Sequence, residues 1–269
     1  MTRQGNELSA NPEQEQGTKP SAPDLAASYS SQSSRLTGSS VHSAIANEIG
    51  MRIVRGDYPP GTVLPNEAKW AETFEVSRSA VREAIKMLMA KSLLSSRPKV
   101  GSRVEPRERW NLLDRDVLGW YAASPDRAKF LRTVQEFRYI VEPEAAAMAA
   151  ARRTDEQMEE ISRACREMGH ATSLGVRTEA DTRFHMAILR ATGNELLVPL
   201  GVLIESGFDY LFAYITRSTN DLDYAQGLHE EIERQIRLQQ PDRARAAVRM
   251  LLANTDDVIA GGTGTPPPD

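Results

Sequence analysis

The stretch Leu64–Ile85, LPNEAKWAETFEVSRSAVREAI, constrains this chain more than any other. Asn66 is placed to cap a helix, with Glu67 in its first turn near the positive helix end. Trp70, Ala71 and Phe74 form the buried face of that short helix. The apolar pattern breaks at Glu75, and Ser77 caps a second helix whose Val81, Ala84, Ile85 and Leu88 point inward. Upstream, Val41, Ile45, Ile49, Ile53 and Val54 recur at three- and four-residue spacing and predict another helix. Gly56 and Tyr58-Pro59-Pro60-Gly61 end it in a turn. Downstream, Val100 and Val104 flank the Pro/Gly run of SSRPKVGSRV, which predicts a small two-stranded hairpin. Three short helices followed by a hairpin form a winged helix-turn-helix.

In such a unit the start of the second helix of the pair faces base edges in the major groove. Arg78 and Arg82 are four apart and share one face of it. Arginine presents a planar fork of donors that suits guanine O6 and N7, or phosphate. Ser77 and Ser79 are short enough to reach phosphate or base. Lys99 and Arg97 sit on the hairpin, and Gly101 would let its tip approach closely. Charge follows the same division. Residues 39–107 carry 11 Lys/Arg against 7 Asp/Glu, whereas residues 108–269 carry 19 against 26. A basic segment beside an acidic one is what a DNA reader joined to another kind of domain would show.

The first 38 residues are rich in Ser, Gln, Pro, Asn and Glu, with almost no large apolar side chains, and are expected to be disordered. Residues 39–107 are the DNA-binding domain. Residues 108–125, including Trp110, Leu113, Val117 and Trp120-Tyr121, are expected to form a linker helix. Residues 126–260 show only helical periodicity, with Pro143 able to kink the first helix. They predict an all-helical bundle, so the fold class is mainly α. A disordered tail covers 261–269. No apolar run reaches the roughly 18 residues that span a bilayer, and the N-terminus has no apolar core of a secretory signal. With a single cysteine, Cys165, no intrachain disulfide or Cys-rich zinc site can form. A soluble, cytoplasmic chain is expected.

In the helical part, Asp181 and His185 are four apart on one helix and His229 lies on a later one. A carboxylate and two imidazoles suit a divalent metal such as zinc, nickel or manganese. They could equally hold a carboxylate-bearing ligand by hydrogen bonds. Arg138 would be a natural partner for an anionic ligand. An enzyme is the alternative: a metal-dependent hydrolase or lyase using Asp181, His185 and His229. It would need a general base and an oxyanion stabiliser. The chain has no Gly-rich phosphate loop, no Gly-x-Ser-x-Gly elbow and no Cys-His arrangement, and an enzyme would leave the winged helix unexplained.

The motifs taken together resemble the GntR family of bacterial transcription regulators. The resemblance runs through Gly56-Asp57-Tyr58, Pro60-Gly61, Leu64-Pro65-x-Glu67, Val76-Ser77-Arg78, Val81-Arg82-Glu83-Ala84, Leu88, Leu93 and Gly101. It implies that Ser77, Arg78, Ser79, Arg82 and the wing tip touch DNA. Family members often carry arginine where this chain has Ala68. The helical part resembles the effector domain of the FadR branch (FCD domain), through Arg138, Glu142, Asp181-x-x-Phe184-His185, Asn194, His229 and Ile232. That resemblance implies a metal held by one Asp and three His, with a carboxylate effector completing the coordination. Asp181, His185 and His229 match three of the four positions. The last falls about 22 residues after His229, at Met250-Leu251-Leu252, and has no His. Trp110–Trp120 with FRYIVEP is similar to the sugar-acid regulators of this branch. The resemblance thus implies a homodimeric repressor on a palindromic operator, released by an aldonate such as galactonate.

Overall fold

The computed structural model describes residues 38–97, 101–207 and 219–262. Lys99 and most of both expected tails lie outside the described residues. Helix α1 spans Gly38–Arg55, α2 Glu67–Thr73 and α3 Arg78–Ala90; strands β1 (Leu94–Arg97) and β2 (Gly101–Val104) pair antiparallel with Leu94 opposite Val104. The caps are those the sequence specifies. Asn66 accepts from Lys69 N at 2.9 Å and Ser77 from Ala80 N at 3.2 Å, each satisfying a donor that a helix start leaves over. The turn between α1 and α2 depends on Gly56 (φ +98°) and Gly61 (φ +87°), conformations that cost a Cβ-bearing residue energy. Residues 61–64 also pair with β2: Gly61 N donates to Val104 O (2.9 Å), Val104 N to Thr62 O (2.9 Å) and Leu64 N to Ser102 O (2.8 Å). The hairpin therefore gains a third, short edge.

The core of this reading head joins Ile45, Ile49 and Ile53 of α1 to Val81, Ala84 and Leu88 of α3, with Leu64, Trp70, Leu93 and Val104. Each fully buried aliphatic side chain contributes roughly 1.5–3 kcal/mol. Tyr58 meets Trp70 edge-on at 6.1 Å, and Trp70 stacks on Phe74 at 5.2 Å.

The span 108–125 is not one continuous helix. A 3-10 turn (Arg107–Arg109) leads into a loop in which Asn111 accepts from Leu113 N. Helix α4 starts only at Arg115 and ends at Ala122, capped by Asp114, whose carboxylate accepts from Asp116 N and Val117 N. These side-chain acceptors compete with helical bonding upstream, which is why α4 is short. Trp110, Val117 and Trp120 belong to the core of the reading head. Trp120 Nε1 donates to Asn47 Oδ1 of α1 at 2.5 Å. Its six-membered ring lies where a Cβ on Gly50 would sit, 2.4 Å from Cη2. Lys91, just after α3, reaches both Asp114 and Asp116 at 2.8 Å. The opposite side of α4, Leu118 and Ala122, packs with Phe130, Leu131 and Val134 in a separate small cluster, and Arg115 pairs with Glu205.

The remaining helices form a bundle: α5 (Arg127–Arg152), α6 (Asp155–Gly169), α7 (Leu174–Ala191), α8 (Thr219–Arg237) and α9 (Pro241–Gly262), with residues 201–207 also helical. Pro143 lies within α5, which continues through it. The alanines Ala145, Ala146, Ala149 and Ala150 line the buried side of α5 and let neighbouring helices approach closely. Thr154 and Gln157 form a capping box at the start of α6. No described helix is long and apolar enough to cross a membrane.

Candidate functional site

Two surfaces carry chemistry. The first is the exposed start of α3. Ser77, Arg78, Ser79 and Arg82 are all exposed there, and the Ser77 and Ser79 hydroxyls lie 2.9 Å apart. Arg82 makes a forked ion pair with Glu67 of α2. Its Nε donates to Glu67 Oε1 (3.0 Å) and Oε2 (3.1 Å), and Nη2 donates to Oε2 (2.7 Å). Hydrogen bonding to Arg82 holds the Glu67 carboxyl below its ordinary range. Lys69, beside Ala68, pairs instead with Glu72 at 2.8 Å. Gly101 is required for a reason spacing alone does not reveal. Its φ is +93°, and a Cβ there would meet only Val63 Cγ1 at 3.8 Å, so backbone conformation rather than crowding selects glycine.

The second is a buried polar cluster that α5, α7 and α8 build together. Asp181, His185 and His229 are each almost wholly inaccessible, and one ligand atom of each lies within 4.8 Å of the others. Both imidazoles aim Nε2 at the same oxygen: His185 Nε2 and His229 Nε2 each lie 3.2 Å from Asp181 Oδ1. The other ring nitrogens fix their orientation. His229 Nδ1 is 2.7 Å from the Ala225 carbonyl and His185 Nδ1 is 3.0 Å from Glu142 Oε2. Both partners only accept, so each Nδ1 donates to its neighbour and each ring turns its Nε2 toward the Asp181 carboxylate. Asp181 Oδ1 and His229 Nε2 are both shielded from solvent, so the polar atoms of the cluster face one another rather than water. Phe184 packs its ring edge-to-face with both imidazoles, at 5.5 Å and 5.4 Å, and excludes water from one side.

The cluster extends into α5. Arg138 Nε donates to Glu142 Oε1 at 2.6 Å, and its Nη1 to Gln135 Oε1 at 3.3 Å. Gln135 Nε2 in turn donates to the Leu252 carbonyl of α9 at 2.9 Å. Arg138 and Glu142 form a buried ion pair, so Arg138 already faces a carboxylate of its own helix. Burial opposes ionisation of Glu142, but Arg138 and His185 outweigh it and hold its pKa at about 2. Burial likewise opposes the charged form of His185, and the Glu142 and Asp181 carboxylates overcome this to push it up to about 9. Two carboxylates thus draw positive charge into this space, as a proton or as a cation. Sequence reasoning brought Arg138, Asp181, His185 and His229 to one place but assigned Glu142 and Gln135 no role. The i, i+4 spacing of Arg138 and Glu142 is the signal that could have found the pair. At the position of the missing fourth histidine, Leu251 and Leu252 are buried core residues.

Residues 42–104 match the family model for bacterial regulatory proteins of the gntR family, and residues 133–254 match the FCD domain. The chain is 33% identical over 215 residues to the uncharacterized HTH-type transcriptional regulator YieP of Escherichia coli K12, covering 79% of this chain and 92% of that protein. It is 34% identical over 210 residues to the galactonate operon transcriptional repressor of Escherichia coli K12, covering 77% and 91%. With the HTH-type transcriptional regulator LutR of Bacillus subtilis it shares 30% identity over 215 residues, covering 78% and 96%. Among solved structures, Lar of Listeria monocytogenes aligns with a TM-score of 0.57 and 19% identity, over 84% of this chain and 98% of that one. That likeness concerns the fold alone.

Proposed function

Because the chain belongs to the GntR family of bacterial transcriptional regulators and carries an FCD domain, we propose that it is a cytoplasmic repressor of sugar-acid catabolic genes. It leaves its operator when a small carboxylate, an aldonate such as galactonate, enters the helical domain. The family and the relatives are transcriptional regulators rather than enzymes. The observation that carries the proposal is the buried Asp181–His185–His229 cluster, in which one ligand atom from each residue converges within 4.8 Å of the others. The identity shared with a galactonate operon repressor supports the effector class.

On the DNA side, Arg78 and Arg82 face base edges, while Ser77, Ser79, Lys99 and the Gly101 tip meet backbone or groove. One such head buries little surface. Two heads related by a two-fold axis read a palindrome whose half-sites lie about one helical turn apart, so a homodimer is the working form. On the effector side, the donor set fits a divalent cation: two imidazole Nε2 atoms and a carboxylate oxygen, each imidazole oriented through its other nitrogen. Asp181, His185 and His229 would hold zinc, nickel or manganese. With three protein ligands, a bound cation leaves coordination open for an effector carboxylate. Arg138 lies on the same polar chain and supplies further positive charge, offset by Glu142. The effector acts by favouring a domain arrangement in which the two reading helices no longer match the operator, since only differential affinity shifts such an equilibrium.

The test is a mobility-shift titration on duplexes taken from the DNA upstream of the chain's own and adjacent genes. Retardation by the purified protein should be reversed by D-galactonate and not by D-galactose, which keeps the hydroxyls and lacks the carboxylate. Equal release by the neutral sugar, or none by any aldonate, would overturn the effector class.

A further inference from the structure

We infer that Glu67 is a positioning residue for base recognition: it occupies one edge of the Arg82 guanidinium so that the other edge is turned to a guanine. The inference rests on the reading of α3 as the DNA-reading helix. A guanidinium has five N–H donors in one plane. Glu67 takes the Nε–H and one Nη2 hydrogen in a fork at 2.7–3.1 Å. Both Nη1 hydrogens and the second Nη2 hydrogen remain; one Nη1 hydrogen and that Nη2 hydrogen form the end-on pair that matches guanine O6 and N7.

Glu67 is well placed to hold that geometry. It is the first residue of α2, behind the Asn66 cap, and Trp70 one turn on is 2% exposed, so the base of the side chain belongs to a rigid element. Arg78 and Lys86 attract the carboxylate electrostatically, but the hydrogen bonds it accepts come from Arg82. Residue 68 is alanine and the Lys69 ammonium is taken by Glu72. The bridge also spans the two helices of the motif, fifteen residues apart in sequence, so it fixes Arg82 against α2 as well as along α3. In the free protein both partners are exposed and the bridge contributes little to stability. Its consequence is for recognition: an arginine already held in its base-facing rotamer loses less freedom on binding and presents one edge rather than several.

Glu67 also places a negative charge near the DNA, so its removal should strengthen binding to all duplexes. Discrimination between bases separates the two effects. Full-length protein would first select a consensus from a pool of random-sequence duplexes. Affinities of wild type, E67A, R82A and the double variant would then be measured on the consensus and on its single-base substitutions. Expected is a position in each half-site where wild type prefers guanine by at least about tenfold and R82A does not. E67A should lose most of that preference at the same position and keep the others. The double variant should match R82A there, because Glu67 acts through Arg82. If E67A binds all duplexes more tightly and retains the guanine preference, or if the losses add in the double variant, the inference is wrong. If R82A itself leaves every preference unchanged, both this inference and the assignment of Arg82 to base contact fall.

Discussion

Replacing Gly50 by alanine tests whether α4 is keyed into the reading head. In an exposed helix the change would stabilise, because alanine is favoured over glycine in a helix interior by about 1 kcal/mol. At position 50 the added Cβ would lie 2.4 Å from Cη2 and Cζ3 and 2.7 Å from Cε3 of Trp120. Carbon atoms pack at roughly 3.5–4.0 Å, so the ring must retreat by about 1 Å or more. Trp120 is 5% exposed and donates to Asn47, so that retreat disturbs a packed core and a partly buried hydrogen bond together. Overpacking of this kind costs about 1–3 kcal/mol, and loss of the bond adds roughly 1 kcal/mol. After the propensity gain, a net destabilisation of about 1–3 kcal/mol is expected. Urea denaturation followed by tryptophan fluorescence would show it as a lower midpoint. The decisive control is Trp120→Leu, which removes the three crowding atoms. In that background Gly50→Ala should raise the midpoint, because only the propensity term survives. A raised midpoint in the wild-type background would refute the argument.

Further perturbations separate the two surfaces. Arg78→Ala should weaken operator binding by roughly 1–3 kcal/mol if the side chain pairs with a base; an unchanged mobility-shift titration would remove it from the base-reading set. Asp181→Asn should abolish binding of zinc or nickel, checked by elemental analysis after loading and gel filtration, while operator binding persists. Chelation of loaded wild type should lower the melting temperature, since a cation at 100 times its Kd stabilises by about 2.7 kcal/mol; Asp181→Asn should show no such response. Arg138→Ala strips Glu142 of its buried counter-charge and should cost about 3–5 kcal/mol, read by thermal melting. At a temperature where the variant stays folded, it should bind operator normally and resist release by galactonate.

Much of this architecture was legible in the sequence, because each helix of the head carries its own period and its own cap. Asn66 and Ser77 cap where their positions predict, since capping is a local competition for one backbone donor. The extent of α4 was less legible. The apolar positions from Trp110 to Tyr121 fit a helix, yet Asn111 and Asp114 divert the backbone upstream of Arg115. Trp110 is then drawn into the core of the head by packing between residues distant in sequence. The same holds for the polar cluster. Asp181 and His185 follow from i, i+4 spacing, and His229 joins them by residue type from a later helix. That Glu142 serves both Arg138 and His185 depends on α5 and α7 touching, a contact that the alanine face of α5 permits but no motif announces. Arg138 stood out as a cation for an anionic ligand; the fold supplies it with a carboxylate from its own helix.

The pairing of residues 61–64 with β2 has a consequence for the DNA. Three main-chain bonds fasten the segment that leads into α2 to the strand that carries the wing tip. On the proposed reading of α3 and the hairpin as the two DNA contacts, the offset between them along the duplex would be set by this main-chain pairing rather than by the side chains that face the DNA. Substitutions at Arg78 or Arg82 would then redraw which bases are preferred, while that spacing stays constant.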